Sequence, residues 1–287
     1  MSEALASLSH RGPKAAARVV WGRGDLRPVA GILRKGESLC AGVGRIFAEA
    51  GCRGGVISLD GVRCDPLLYV GPAVSRDPAF AAYYSETFAG DSDAPIRAST
   101  ATVGLREGQP FFHCHGRWQA KGAAIMGHLL PHDCIVAEDQ AVSGLGSTSN
   151  AFAARYDPET NFTLFHPETE GEAGPRGQGS GVFLRIAPDT DLSDAIAEVA
   201  RAAGIANARI HGVGSICEPH FAQTGRIATP ITEVRIDQGD IRDGAVSLAV
   251  SYVDTDWRIH SGRLVSGKNP VGVTFEVLIE DLGVASP

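Results

Sequence analysis

No apolar run in this chain approaches the roughly 20 residues needed to cross a bilayer, so no membrane partner is expected. The N-terminal "MSEALASLSHRGPKAAARVV" lacks an apolar core followed by a small-residue cleavage site. It reads as a frayed basic tail, only faintly like a transit peptide, and not as a secretory signal. No CxxC occurs, and the six cysteines (Cys40, Cys52, Cys64, Cys114, Cys134, Cys217) are scattered. That usage favours reduced thiols in a cytoplasmic protein over disulfides. Positive charge is also short: the formal net charge is −7, whereas a protein that holds DNA by its phosphates needs a local excess of Lys and Arg. The most basic stretch is the first 36 residues, with Arg11, Lys14, Arg18, Arg23, Arg27, Arg34 and Lys35. A nucleophile elbow, a phosphate loop and a dinucleotide fingerprint are all missing, so no residue is assigned to an organic cofactor. "GLGSTSN" (144–150) is glycine-rich but has no Lys, and reads as a flexible turn.

What is present is enough apolar residue, 44% of 287, for one large domain or two of ordinary size. The chain resembles itself. At an offset of 153, Leu39, Val43, Ile46 and Ala50 meet Leu192, Ile196, Val199 and Ala203, all at helical spacing. Ser38 and Asp191 are the expected N-caps, and Gly51 and Gly204 the residues just past each helix. At an offset of 136, "EGQPFFHCHGRW" meets "DGAVSLAVSYVD", and at 135 "MGHLLPH" meets "SGRLVSG". The extra length of the first copy falls around 75–95. Alternating segments follow each helix: "PIRASTATVGL", "PFFHCHGRW", "AAIMGHLL", "CIVAEDQAVSG". The expected fold class is α+β: two tandem copies of a domain with a mainly antiparallel sheet and flanking helices. The expected division is a first domain at 25–155, a Gly-, Pro- and Glu-rich linker at 156–180, and a second domain at 181–287.

The candidate site lies in "PFFHCHGRWQAKGAAIMGHLLPHDC" (110–134), which holds four of the nine histidines. In a strand, His113 and His115 share one face and Cys114 takes the other. If Ala120–Lys121 is the hairpin turn, His128 lies opposite His113; if Lys121–Gly122 is the turn, it lies opposite His115. Either register places three imidazoles on one face, with directly opposed Cβ atoms about 4.5–5.5 Å apart. Three neutral imidazoles suit a divalent metal, zinc above all, and leave a fourth position open. Spacing alone leaves a metal-free polar or interface face equally open. Asp133 and Glu138 are the candidate general bases. His132 and Cys134 read as loop residues, and His211, His220 and His260 have no mutual spacing.

The run "PFFHCHGRW…MGHLLPHDCIVAE" resembles the signature of the plants-and-prokaryotes conserved (PPC) domain, carried here by His113, His115, Gly127, His128, Leu129, Ile135 and Glu138. The likeness covers roughly 25–150 well and 181–283 weakly, through the repeat. It implies an α+β fold, homotrimers or other homo-oligomers, a metal on the three histidines, and the DNA-binding label common among bacterial members. No AT-hook is present: "HRGPK" and "WGRGDLRP" are incomplete. The repeat sets Ala249, Ser251 and Arg263 against His113, His115 and His128. One zinc per chain, in the first domain only, is therefore expected. The functional expectation is a zinc-binding protein, with a zinc-dependent enzyme on a small molecule as its catalytic form. The alternative is a DNA-associated regulator, which the charge does not favour.

Overall fold

The computed structural model describes residues 8–169 and 179–283. Two large sheets hold the fold. The first runs Arg27–Leu33, Gln140–Ser147, Gly54–Ser58, Arg97–Arg106, Gln109–Ala120 and Ala123–Leu129, with short Leu68–Val70 and Phe88–Ala89 at the far edge. The second runs Val19–Gly24, Gly181–Ile186, Val271–Asp281, Ala208–Ile216, Glu233–Arg242, Ala245–Val253 and Ile259–Arg263. Counted from Arg27–Leu33 and from Gly181–Ile186, the six main strands of each half follow one spatial order: first, sixth, second, third, fourth, fifth.

Each half carries one eleven-residue helix, α1 (Leu39–Glu49) and α2 (Leu192–Ala202). The Ser38 side chain accepts from Ala41 N–H and the Asp191 side chain from Asp194 N–H. Each helix ends at a glycine of positive φ, Gly51 and Gly204, where a side chain would strain the left-handed backbone. The apolar stripe of α1 (Leu39, Val43, Ile46, Phe47) packs with Val29, Leu33, Ile57 and Phe112. The stripe of α2 packs with Val182, Leu184, Val250 and Val277 in the same way.

The α+β expectation is corrected here: the described residues are mostly strand, with twenty-one strands against two helices. Helices do not flank both faces of each sheet. Each helix covers one face, and the opposite faces of the two sheets meet each other, with Val56, Phe152, Phe183 and Leu278 packed together between them. A half whose second face is buried against another sheet needs no second layer of helix. The helical periodicity at 39–50 and 192–203 was legible; this sheet-on-sheet contact was not.

Two further segments tie the halves together. The N-terminal strand Val19–Gly24 pairs antiparallel with Gly181–Ile186 at the edge of the second sheet. From Leu8 onward the expected frayed tail is instead held down: Lys14 bonds Asp189, Arg18 bonds Glu159, and Arg23 bonds Asp281. The other segment is the hairpin Asn150–Asp157 and Phe162–Thr169. Its first strand runs parallel to Arg97–Arg106, so part of the stretch read as a linker is strand. The residues from 170 to 178 lie outside the described residues.

Candidate metal centre

The strand Gln109–Ala120 turns into Ala123–Leu129 through Lys121 and Gly122, both at positive φ (52° and 74°). A two-residue turn of that hand matches the natural twist of a hairpin, and glycine at its second position removes the Cβ penalty. The register follows: His115 lies opposite His128 and Gly127 opposite Gly116. This is the second of the two registers that the sequence allowed. Phe112, Cys114 and Trp118 point to the α1 side and are buried there. His113 and His115 therefore point to the other side, toward the second sheet.

The rings converge. Centroids of His113 and His115 are 4.5 Å apart, those of His113 and His128 4.7 Å, and those of His115 and His128 5.4 Å. Two carboxylates of the second half reach them. Glu233 stands 2.6 Å from His115 Nε2, and Glu276 2.6 Å from His113 Nδ1. One ligand atom each from His113, His115, His128 and Glu233 fits within 4.8 Å. That cluster can hold a metal ion.

Electrostatics agrees with the geometry. Burial, reinforced by His115, pulls His113 down to about 3. Burial and His113 hold His128 well below its usual range. Both rings are therefore neutral, as metal ligands must be. For His115, burial opposes the charged form, but the Glu233 carboxylate outweighs it and the pKa rises. Burial pushes Glu276 up to about 7.

The donor set itself tests the fit. A backbone carbonyl only accepts, so His115 Nδ1, 2.7 Å from Val234 O, must donate. Its Nε2 then presents a lone pair unless the ring is doubly protonated. That Nε2 faces both His113 Nε2 at 2.9 Å and the Glu233 oxygen at 2.6 Å. With Glu276 accepting from His113 Nδ1, three electron-rich atoms face one point and need one cation there, a proton or a metal. Bonds of about 2.0–2.1 Å to a tetrahedral zinc would separate ligand atoms by about 3.3 Å, so the pairs at 2.6 and 2.9 Å would open by less than about 1 Å, and the widest of the set, which spans at most 4.8 Å, would close. His128 Nδ1 is buried without a partner. Glu276 and Val234 fix the rings of His113 and His115 from behind, as hydrogen-bond acceptors do around metal-bound histidine. The residues fit a metal.

A cavity of about 530 Å³ opens onto the cluster. Its inner end has His113, His128, Glu233 and Glu276; its walls are aromatic, from Phe80, Tyr83, Tyr84, Phe111, Phe162 and Phe165. Asp133 and His132 also line it. Glu138 does not: it is half-exposed and bonded to Arg63 at 2.5 Å. Cys134 is buried beside Leu68, whose backbone it bonds. All six cysteines are buried and unpaired. His211 lies near Glu280, and His260 bonds Asp254 at 2.8 Å, neither in the cluster.

Sequence reasoning missed Glu233 and Glu276. The signal was present for Glu276, the one carboxylate in the run "VGVTFEVLI" (271–279), which is buried with its apolar neighbours. Carboxylates are almost never fully buried unless paired. The matching positions of the second half also need one correction. Ser251 faces Ser261, and Arg263 faces Ala249. The counterpart of His128 is thus Ser261, because the second hairpin closes through the longer loop 254–258. Arg117 of the first half reaches both hydroxyls, at 2.6 Å each.

Against known proteins, residues 174–283 match the family model of the Plants and Prokaryotes Conserved (PCC) domain. That is the half without His113, His115 and His128. Among the curated proteins, no match was found. Several solved structures are similar. A metal-containing protein from Archaeoglobus fulgidus is 16% identical, with TM-score 0.40 over 50% of this chain and 97% of its own. A plant- and prokaryote-conserved (PPC) protein from Pyrococcus horikoshii is 18% identical, with TM-score 0.36 over 50% and 95%. A candidate DNA-binding protein from Bacteroides thetaiotaomicron is 20% identical, with TM-score 0.33 over 38% and 82%.

Proposed function

Starting from the PCC domain carried by residues 174–283, we propose that this chain is a zinc protein with small-molecule enzyme activity. One ion is held per chain by His113, His115, His128 and Glu233, between two copies of one PCC-like unit. The observation that carries this reading is the convergence of three imidazoles and a carboxylate at the inner end of a cavity. Zinc, when bound, supplies Lewis acidity and lowers the pKa of water. The chain's own residues do the rest. Glu276 holds the His113 proton on Nδ1, and Val234 does the same for His115. Glu233 would be the fourth donor beside the three histidines. Glu138, bonded to Arg63, is not retained as a base; Asp133 is kept as a cavity residue.

The alternative, a DNA-associated regulator, has less support. Of the seven cations in the basic N-terminal segment, Lys14, Arg18 and Arg23 are bonded to acids of this same chain. No helix of the described residues is long and apolar enough to cross a membrane. A cytoplasmic home and a homotrimer remain proposals, the first supported by six unpaired buried thiols.

The test is metal content per chain by mass spectrometry, on native protein and on the His113→Ala/His115→Ala/His128→Ala variant. About one zinc in the first and none in the folded second is expected. Equal metal in both would refute the site. Steeply salt-dependent DNA binding by a zinc-free chain would move the alternative to the front.

A further inference from the structure

The cavity walls specify more than access to a metal. Phe80, Tyr83 and Phe162 form a mutual cluster, with centroids 4.9 Å, 4.9 Å and 5.7 Å apart, and the Tyr83 and Phe162 rings are stacked at 25°. Tyr84 packs its edge on His128 at 5.0 Å, so the aromatic wall touches the candidate metal site. Two of its elements come from the segment around 75–95 and the hairpin Asn150–Thr169, neither of which belongs to the six-strand pattern shared by the two sheets. These additions make the pocket, and they make it flat-sided and apolar.

Among the described residues, one Arg or Lys side chain lines it. Arg106 ends the strand Arg97–Arg106, and its guanidinium lies 5.6 Å over the Phe111 ring. Among the described residues it has neither an ion pair nor a hydrogen bond, unlike Arg117, Arg155 or Arg185. It is exposed on the strand end while the imidazoles sit at the inner end. Stacking on Phe111 restrains the planar fork and leaves its five donors free. A volume of about 530 Å³ lies within the roughly 300–1,000 Å³ usual for small-molecule sites.

We propose that the ligand of this cavity is an aromatic monocarboxylate, its ring between the aromatic walls, its carboxylate on Arg106, and its opposite end toward His113, His128 and Glu233. A single unpaired cation matches one negative charge. A phosphate dianion would want a second cation, and Asp133 and Glu233 would repel it. This inference deepens the small-molecule reading above and rests on the same cavity, but not on the identity of the metal.

Calorimetry with cinnamate and indole-3-acetate, each against its neutral amide, tests it on the full chain, zinc-loaded and zinc-stripped. At least one acid should bind better than its amide. Arg106→Gln should weaken acid binding by about 10- to 100-fold, the usual range for a hydrogen bond to a charged group. It should leave amide binding and zinc content unchanged. Tyr83→Ala should weaken acid and amide alike. Acid selectivity that survives in a chain unable to hold zinc would sink the metal reading and keep this one. Failure of both acids to bind, equal affinity for acid and amide, or indifference to Arg106→Gln would overturn the ligand class, whatever the zinc result.

Discussion

His115 Nε2 and Glu233 meet at 2.6 Å across the two sheets, while the next residue, Val234, accepts from His115 Nδ1 at 2.7 Å. The start of one interior strand of the second sheet, Glu233–Arg242, thus grips both nitrogens of a first-half ring that is fully buried. If Glu233 is a ligand, Glu233→Gln removes a charge from the cation's shell and keeps the shape. Zinc affinity should fall at least about tenfold, since even acceptors behind a ligand are worth 10- to 100-fold. Competition against a chelating dye measures it. Unchanged affinity would assign the metal to the three histidines alone.

That pairing marks the limit of what the sequence disclosed. Strand alternation puts His113 and His115 on one face, and a turn of the right length brings His128 to them; both are local facts that residue spacing encodes. Lys121–Gly122 selected one of two registers, and only its positive φ values told which. The two helices were legible from their stripes, caps and closing glycines. The meeting of Glu233 and Glu276 with the histidines was not, because it comes about through the packing of one sheet face on another, a relation that no local period records. The same contact explains why the α+β expectation failed: the face thought to need helices is covered by the other sheet.

Arg117 stands where the second half would hold its own cation. Its guanidinium bonds Ser251 and Ser261, and Ser251 bonds Asp237 in turn at 2.5 Å. Arg117→Met should strand these groups between the sheets and cost about 1–3 kcal/mol, the range for losing a charge-assisted hydrogen bond. Chemical denaturation reads the loss. Zinc content should not change, since no imidazole lies at Ala249, Ser251 or Ser261.

His166 gives the chain a pH dependence that can be isolated. Burial lowers its pKa from 6.5 to about 4, with Arg185 adding to the effect. The unfolded chain therefore binds more protons at this residue between pH 6.5 and about 4, and stability contributed by the neutral ring is lost as pH falls through that window. Glu276, raised to about 7, acts in the opposite sense between 4.5 and 7. Comparing His166→Gln with the parent largely cancels it. The metal-free variant should lose less Tm between pH 7 and pH 5 than the metal-free parent. Parallel curves would show that His166 titrates normally.

Gly127 supports the site by having no side chain. A Cβ there would lie 2.6 Å from the Val70 carbonyl oxygen and 3.3 Å from the Tyr69 ring. Backbone cannot move aside as a flexible side chain does. The strand Leu68–Val70 pairs directly with His128 and Leu129 at this edge, so Gly127→Ala must push it away. Overpacking of this kind costs about 1–3 kcal/mol. The displaced strand leads through Pro72–Ala73 to the Tyr83–Tyr84 pair, whose Tyr84 ring packs on His128. Zinc affinity should therefore drop along with stability, although no ligand has been altered. Loss of stability with full zinc affinity, measured by denaturation and dye competition on one preparation, would show that His128 is held by its hairpin partner His115 and not by the edge strand.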